Sequence, residues 1–144
     1  MKNKGSLLLE LGVSIFVILI VITMAFSINK MILNSTKKKI NTYEMEESLH
    51  SIINEVKYNI KYEYLKELLK DKELTFKYNN DFLKNIRTTN LLDMNVGKGS
   101  ENIIKIEKIL ESKEEEYMEL RITIKYEKSN IEGKVIKSYW MDYA

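Results

Sequence analysis

The sequence predicts an α+β protein. A long N-terminal helix, transmembrane in its first half and amphipathic in its second, packs on a small antiparallel β-sheet. Three observations carry this expectation. Leu11 to Ile28 contains no charged residue; apolar residues recur at helical spacing from Glu44 to Lys70; and the stretches after residue 71 alternate apolar with polar. The chain of 144 residues then divides into a transmembrane helix at 6–28, an amphipathic stem helix at 29–70 and a β head at 71–144.

The first element follows from length and charge. An uncharged apolar run of ~18 residues is long enough for a membrane-spanning helix to be the default reading. Lys2 and Lys4 precede it, and Lys30 and the cluster Lys37-Lys38-Lys39 follow it. The positive-inside rule is therefore indecisive about orientation.

In the second element Met45, Leu49, Ile52, Ile53, Val56, Ile60, Tyr64 and Leu68 form one stripe at three- and four-residue spacing. Charged residues such as Glu46, Glu47, Glu55, Lys57 and Lys61 occupy much of the remainder. Asn34-Ser35-Thr36 and Asn41-Thr42 are weak helix formers, and Asn41 followed by Glu44 reads as a local capping pair. A bend or break between about residues 34 and 42 is consistent with them.

The head is read from period-two patterns. Leu74 to Tyr78 alternates, and Asn79-Asn80-Asp81 ends that strand or starts a short helix through Ile86. Asn95 to Ser100 has the composition of a loop. Ile103 to Leu110 alternates, and Tyr117 to Tyr126 is the clearest strand, with Met118, Leu120, Ile122 and Ile124 on one face. Asn130 to Gly133 reads as a turn and Val135 to Tyr143 as a final strand. Three strands with short connections suggest a meander with one face covered by the helix.

Composition excludes several classes of chemistry. Cysteine is absent, which removes disulfides, thiolate metal sites and cysteine nucleophiles. A single histidine, His50, has to serve any Ser-His-Asp scheme, and none is found; with no second histidine a metal site has little support. Glu114-Glu115-Glu116 lacks EF-hand spacing and reads as a solvated turn. Gly97-x-Gly99 lacks the phosphate-cradling context. The expectation is a chain that is not an enzyme, with no catalytic residue, metal or cofactor. At a formal net charge of +2, the electrostatic case for DNA as a partner of Lys37-Lys38-Lys39 is thin.

Glu10 is the residue that needs explaining. It stands beside the apolar run, where a carboxylate is costly: about 2.5–3.5 kcal/mol at a bilayer centre and less near its edge. A secretory signal peptide leaves it unexplained, and Thr23 to Ser27 fits a small-residue cleavage site poorly. A plain signal anchor accounts for length and lysines but not for Glu10. The stretch Lys4-Gly5-Ser6-Leu7-Leu8-Leu9-Glu10-Leu11 resembles the N-terminus of type IV pilins and of the pseudopilins of secretion and competence systems. That signature is a short basic leader ending in Gly, a cleavage point, four residues, a Glu, then an apolar helix. The resemblance covers about thirty residues. One departure is Ser6, where the family most often has Phe; it favours a minor subunit.

The resemblance implies a leader at 1–5, cleavage between Gly5 and Ser6 by a prepilin peptidase, and N-methylation of Ser6. It implies a cytoplasmic N-terminus, an extracytoplasmic head, and other pilin-like subunits and the cytoplasmic membrane as partners. It gives Glu10 the role of setting register, by pairing with the α-amino group of Ser6 on a neighbouring subunit. A glycine at position 5 lets backbone enter a peptidase cleft closely. The alternative is a single-pass signal-anchored envelope protein whose head binds a partner.

Overall fold

The fold is taken from a computed structural model that describes residues 3–71, 73–79, 81–94, 101–112 and 114–143. The start of the leader and the loop expected at 95–100, with Gly97 and Gly99, lie outside these residues. Helix α1 runs from Asn3 to Asn54. Two compact units divide the chain, Met1–Asn41 and Thr42–Ala144.

Within the first unit every described side chain from Gly5 to Ile40 is exposed. No Pro occurs in the chain, so nothing interrupts the helical hydrogen bonds by that route. The weak formers at 34–36 and 41–42 do not break the helix; residues 34–42 are helical.

The head follows the predicted α+β layout, and the strand read at Leu74–Tyr78 joins the three of the meander as β1. Strands β1 (Glu73–Lys77), β2 (Ile103–Ser112), β3 (Tyr117–Tyr126) and β4 (Ser129–Ser138) form one antiparallel sheet in chain order. Phe76, Ile104, Ile124 and Ile131 line up across it, as do Ile122, Ile106 and Leu74. One face thus carries Ile104, Ile106, Met118, Leu120, Ile122 and Ile124, all buried against Met45, Ile52 and Val56 of the helical segment. Each such side chain contributes about 1.5–3 kcal/mol on burial. The opposite face is a lattice of charges, with Lys105 bridging Glu73 and Glu107, and Arg121 pairing with Glu132 at 2.9 Å.

The helical stripe breaks later than the weak formers suggested. A π-helical turn at Glu55–Asn59 ends in extended backbone at Ile60 and Lys61, and a new helix α2 spans Tyr62–Leu68. This break resets the phase. Tyr62, Leu65 and Leu69 are buried, whereas Tyr64, in phase with the uninterrupted stripe, is 52% exposed. Helix α3 is the short piece Phe82–Ile86, as the sequence allowed.

The last hairpin also departs from expectation. Its turn is the pair Glu127-Lys128, with Glu127 at φ 51°, and Asn130–Gly133 lies inside β4. Asn and Gly signal turns by composition, but Gly133 serves close packing here. A Cβ at that position would meet the Leu49 side chain at 3.1–3.3 Å, so the glycine admits the helix. Strand β4 stops at Ser138, and Tyr139–Asp142 forms a 3₁₀ turn in place of the expected strand end.

Candidate functional site

The N-terminal candidate residues all lie on the first turns of α1. Gly5, Ser6 and Glu10 are exposed, and a Cβ on Gly5 would touch nothing within 4 Å. Leu7, Leu8, Leu9, Leu11 and Val13 surround Glu10 with exposed apolar surface. The segment is the one described helix long and apolar enough to cross a membrane, with a mean hydropathy of 2.7 over its best window.

Three hydroxyl groups in the apolar run are satisfied within the helix. Ser14 Oγ donates to the Glu10 carbonyl at 2.8 Å, Thr23 Oγ1 to the Ile20 carbonyl at 2.8 Å, and Ser27 Oγ to the Thr23 carbonyl at 3.0 Å. Such back-bonding is how a helix carries hydroxyls into an apolar medium without orphaned donors. The Glu10 carboxylate has no such solution. It is the only charged group between Ser6 and Asn29, and among the described residues it has no hydrogen-bond or ion-pair partner. Of its neighbours one turn away, Leu7 and Val13 have no polar group to offer, and the Ser14 hydroxyl bonds to the Glu10 carbonyl instead.

Within the head the most highly organised polar group is one that the sequence reading passed over. Lys137, 0% exposed, pairs with Asp142 Oδ1 at 2.7 Å and donates from Nζ to the Lys57 carbonyl at 2.7 Å. Asp142 Oδ2 accepts the Tyr62 backbone N–H, also at 2.7 Å. The two residues thereby serve the two helix ends created at the break. Lys137 caps the carbonyl end of the π turn, and Asp142 caps the amino end of α2, each with the sign that the helix dipole favours. Period-two phase held the signal, since Lys137 falls on the same face of β4 as Ile131, Gly133 and Val135. Reading 130–133 as a turn hid it.

The other candidates stay apart. His50 is exposed on α1, and no cluster of His, Cys, Asp and Glu among the described residues could hold a metal ion. Glu114, Glu115 and Glu116 form an exposed turn between β2 and β3. Lys37, Lys38 and Lys39 are exposed on α1. A shallow cleft of about 270 Å³ beside the π turn is lined by Glu55, Asn59, Lys61, Tyr64 and Asp93 among others, with no serine, threonine or histidine in its lining. Of the aromatics, Tyr62 packs edge-on against Tyr139, while Tyr58, Tyr64, Trp140 and Tyr143 are exposed.

A second charged cluster ties α2 to the sheet. Glu111 receives Lys108 Nζ at 2.7 Å and Lys66 Nζ at 3.1 Å. The Lys108 and Lys66 ammonium groups hold its carboxyl below the ordinary carboxylate range. Burial raises the Tyr62 and Tyr78 phenols above their ordinary value.

No family model, curated protein or solved structure matches this chain.

Proposed function

We propose that the chain is a prepilin-like structural subunit, a minor pilin or pseudopilin of a type IV-like filament serving as pilus, competence or secretion apparatus. The observation that carries the reading is Glu10, a carboxylate with no partner among the described residues, five positions after Gly5 on an exposed apolar helix. A prepilin peptidase cuts between Gly5 and Ser6, and Ser6 is N-methylated. The new α-amino group of one subunit then pairs with Glu10 of the next, so processing and assembly are chemically linked. In low-dielectric surroundings each charge alone is expensive, and the pair fixes axial register between staggered helices.

The chain acts as a peptidase substrate and not as an enzyme. It sits in the cytoplasmic membrane by a single span, N-terminus inside and head outside, before joining a filament with other pilin-like subunits. The helix-on-sheet head supports this reading, and so, separately, does the apolar helix with Ser14, Thr23 and Ser27 bonded within it. The test is Glu10→Ala. The variant is expected to insert and fold normally while its share in sheared filaments falls; incorporation at the wild-type level would remove Glu10 from the mechanism.

A further inference from the structure

The two edges of the sheet differ. Edge strand β1 is five residues long, short enough to be a poor template. Edge strand β4 has ten residues, no proline and an unshifted register against β3 from Ser129 to Ser138. Long, regular edges present rows of unpaired backbone groups, and proteins ordinarily blunt them with bulges, proline or brevity. In this sheet the bulge lies in β2, between Lys108 and Leu110, leaving β4 straight.

Which groups face outward follows from the hairpin. The two-residue turn closes on Tyr126 and Ser129, a pair that exchanges hydrogen bonds in such turns. Alternation then directs the N–H and C=O groups of Asn130, Glu132, Lys134 and Ile136 away from β3. All four residues are exposed, and among the described residues these backbone groups bond to nothing beyond the β3 ladder.

We propose that this edge pairs with β4 of a second copy of the chain, antiparallel and centred on Gly133. Parity and charge select that register. Outward-facing residues must oppose outward-facing residues, so the two-fold centre falls on a residue, and 133 and 134 leave the longest overlap of Ser129–Ser138. Centring on 132 sets Glu132 against Glu132, and centring on 134 sets Lys134 against Lys134; like charges directly opposite are destabilising. Centring on 133 sets Glu132 against Lys134 twice, with Asn130 against Ile136.

The existing sheet favours the same arrangement. Lys134 stands directly opposite Arg121 on β3, and its carboxylate is the diagonal Glu119 at 3.3 Å. A glutamate arriving on the free edge would give Lys134 an opposite charge directly across. The half-buried Ile131 would meet Val135 of the second copy on the core side, extending the apolar face.

Cross-linking of the full chain in membranes tests the register, since the wild type has no cysteine. Copies bearing Glu132→Cys and Lys134→Cys, differently tagged, are co-expressed and oxidised. Opposed hydrogen-bonded residues lie ~5.5 Å apart at Cα, inside the ~4.4–6.8 Å range of a disulfide. The mixed dimer is expected to exceed either single-variant dimer and a Thr75→Cys control on β1. A predominant Glu132→Cys self-dimer, or a mixed yield no higher than the control, would overturn it.

Charge exchange gives an independent readout. Glu132→Lys or Lys134→Glu alone should reduce dimer about tenfold, the size that cross-strand ion pairs of this kind carry together. The double exchange Glu132→Lys/Lys134→Glu should restore it. Both positions are solvent-facing, and amide exchange of β3 checks that each variant is folded. Folded single variants that dimerise normally, or a double exchange that stays monomeric, would contradict self-pairing through β4.

Discussion

The two units of this chain treat polarity in opposite ways. In the head, charge is paired even where water is excluded: Lys137 and Asp142 satisfy each other and two backbone groups besides. In the N-terminal helix, one carboxylate is kept among leucines with no partner among the described residues. The head therefore meets its most buried charge with groups of its own, whereas the helix leaves its carboxylate exposed and without a partner among the described residues.

The comparison can be broken most forcefully at Lys137. Lys137→Ala leaves the half-buried Asp142 without its cation and the Lys57 carbonyl without a donor, which should cost up to about 3 kcal/mol. Urea denaturation of the full chain in micelles, followed by Trp140 fluorescence, reads this directly. Asp142→Asn, which keeps an oxygen for the Tyr62 N–H, should cost less than Lys137→Ala by the same assay. A loss below ~1 kcal/mol for Lys137→Ala would mean the break holds without its caps.

A smaller effect is expected at Gly133. Gly133→Ala drives a methyl into Leu49, and overpacking of this kind costs ~1–3 kcal/mol. Glu111 should matter less still, roughly 1 kcal/mol or under, because its lysine partners are partly solvated. Its pH signature is nevertheless definite. A carboxyl held below its unfolded value of about 4.3 contributes fully above that pH and loses its contribution as pH falls through the folded value. The midpoint should therefore decline more steeply in acid for wild type than for Glu111→Gln, measured by thermal melts below pH 5.

Glu10 is expected to do least to stability. Glu10→Ala should shift head unfolding by no more than ~0.5 kcal/mol while depleting the subunit from filaments. A variant that instead destabilises the head would erase the distinction between the two units.

Much of this organisation was legible in the sequence, for identifiable reasons. Run length and absent charge marked the apolar helix, and strict alternation marked β3 from Tyr117 to Tyr126, because both signals are local. The break at Ile60 was not legible. No Gly or Pro announces it, and the residues that stabilise it, Lys137 and Asp142, are some eighty positions away. The final turn was misplaced because Asn130 and Gly133 look like turn residues, while the real turn sets a glutamate at positive φ. Gly133 answers to Leu49, a contact that only the fold creates. At the N-terminus the situation reverses: Gly5, Ser6 and Glu10 were singled out from the sequence, and the described chain adds that Glu10 has no partner.

The central claim is that this chain is made as a precursor and trimmed to expose the amine that Glu10 meets. The most direct measurement is the N-terminal mass of the protein from membranes of cells with and without the prepilin peptidase. The account predicts a methylated Ser6 start that appears only when the peptidase is present. A chain still beginning at Met1 in both, or cut near Ser27, would contradict it and leave a membrane-anchored or secreted domain in its place.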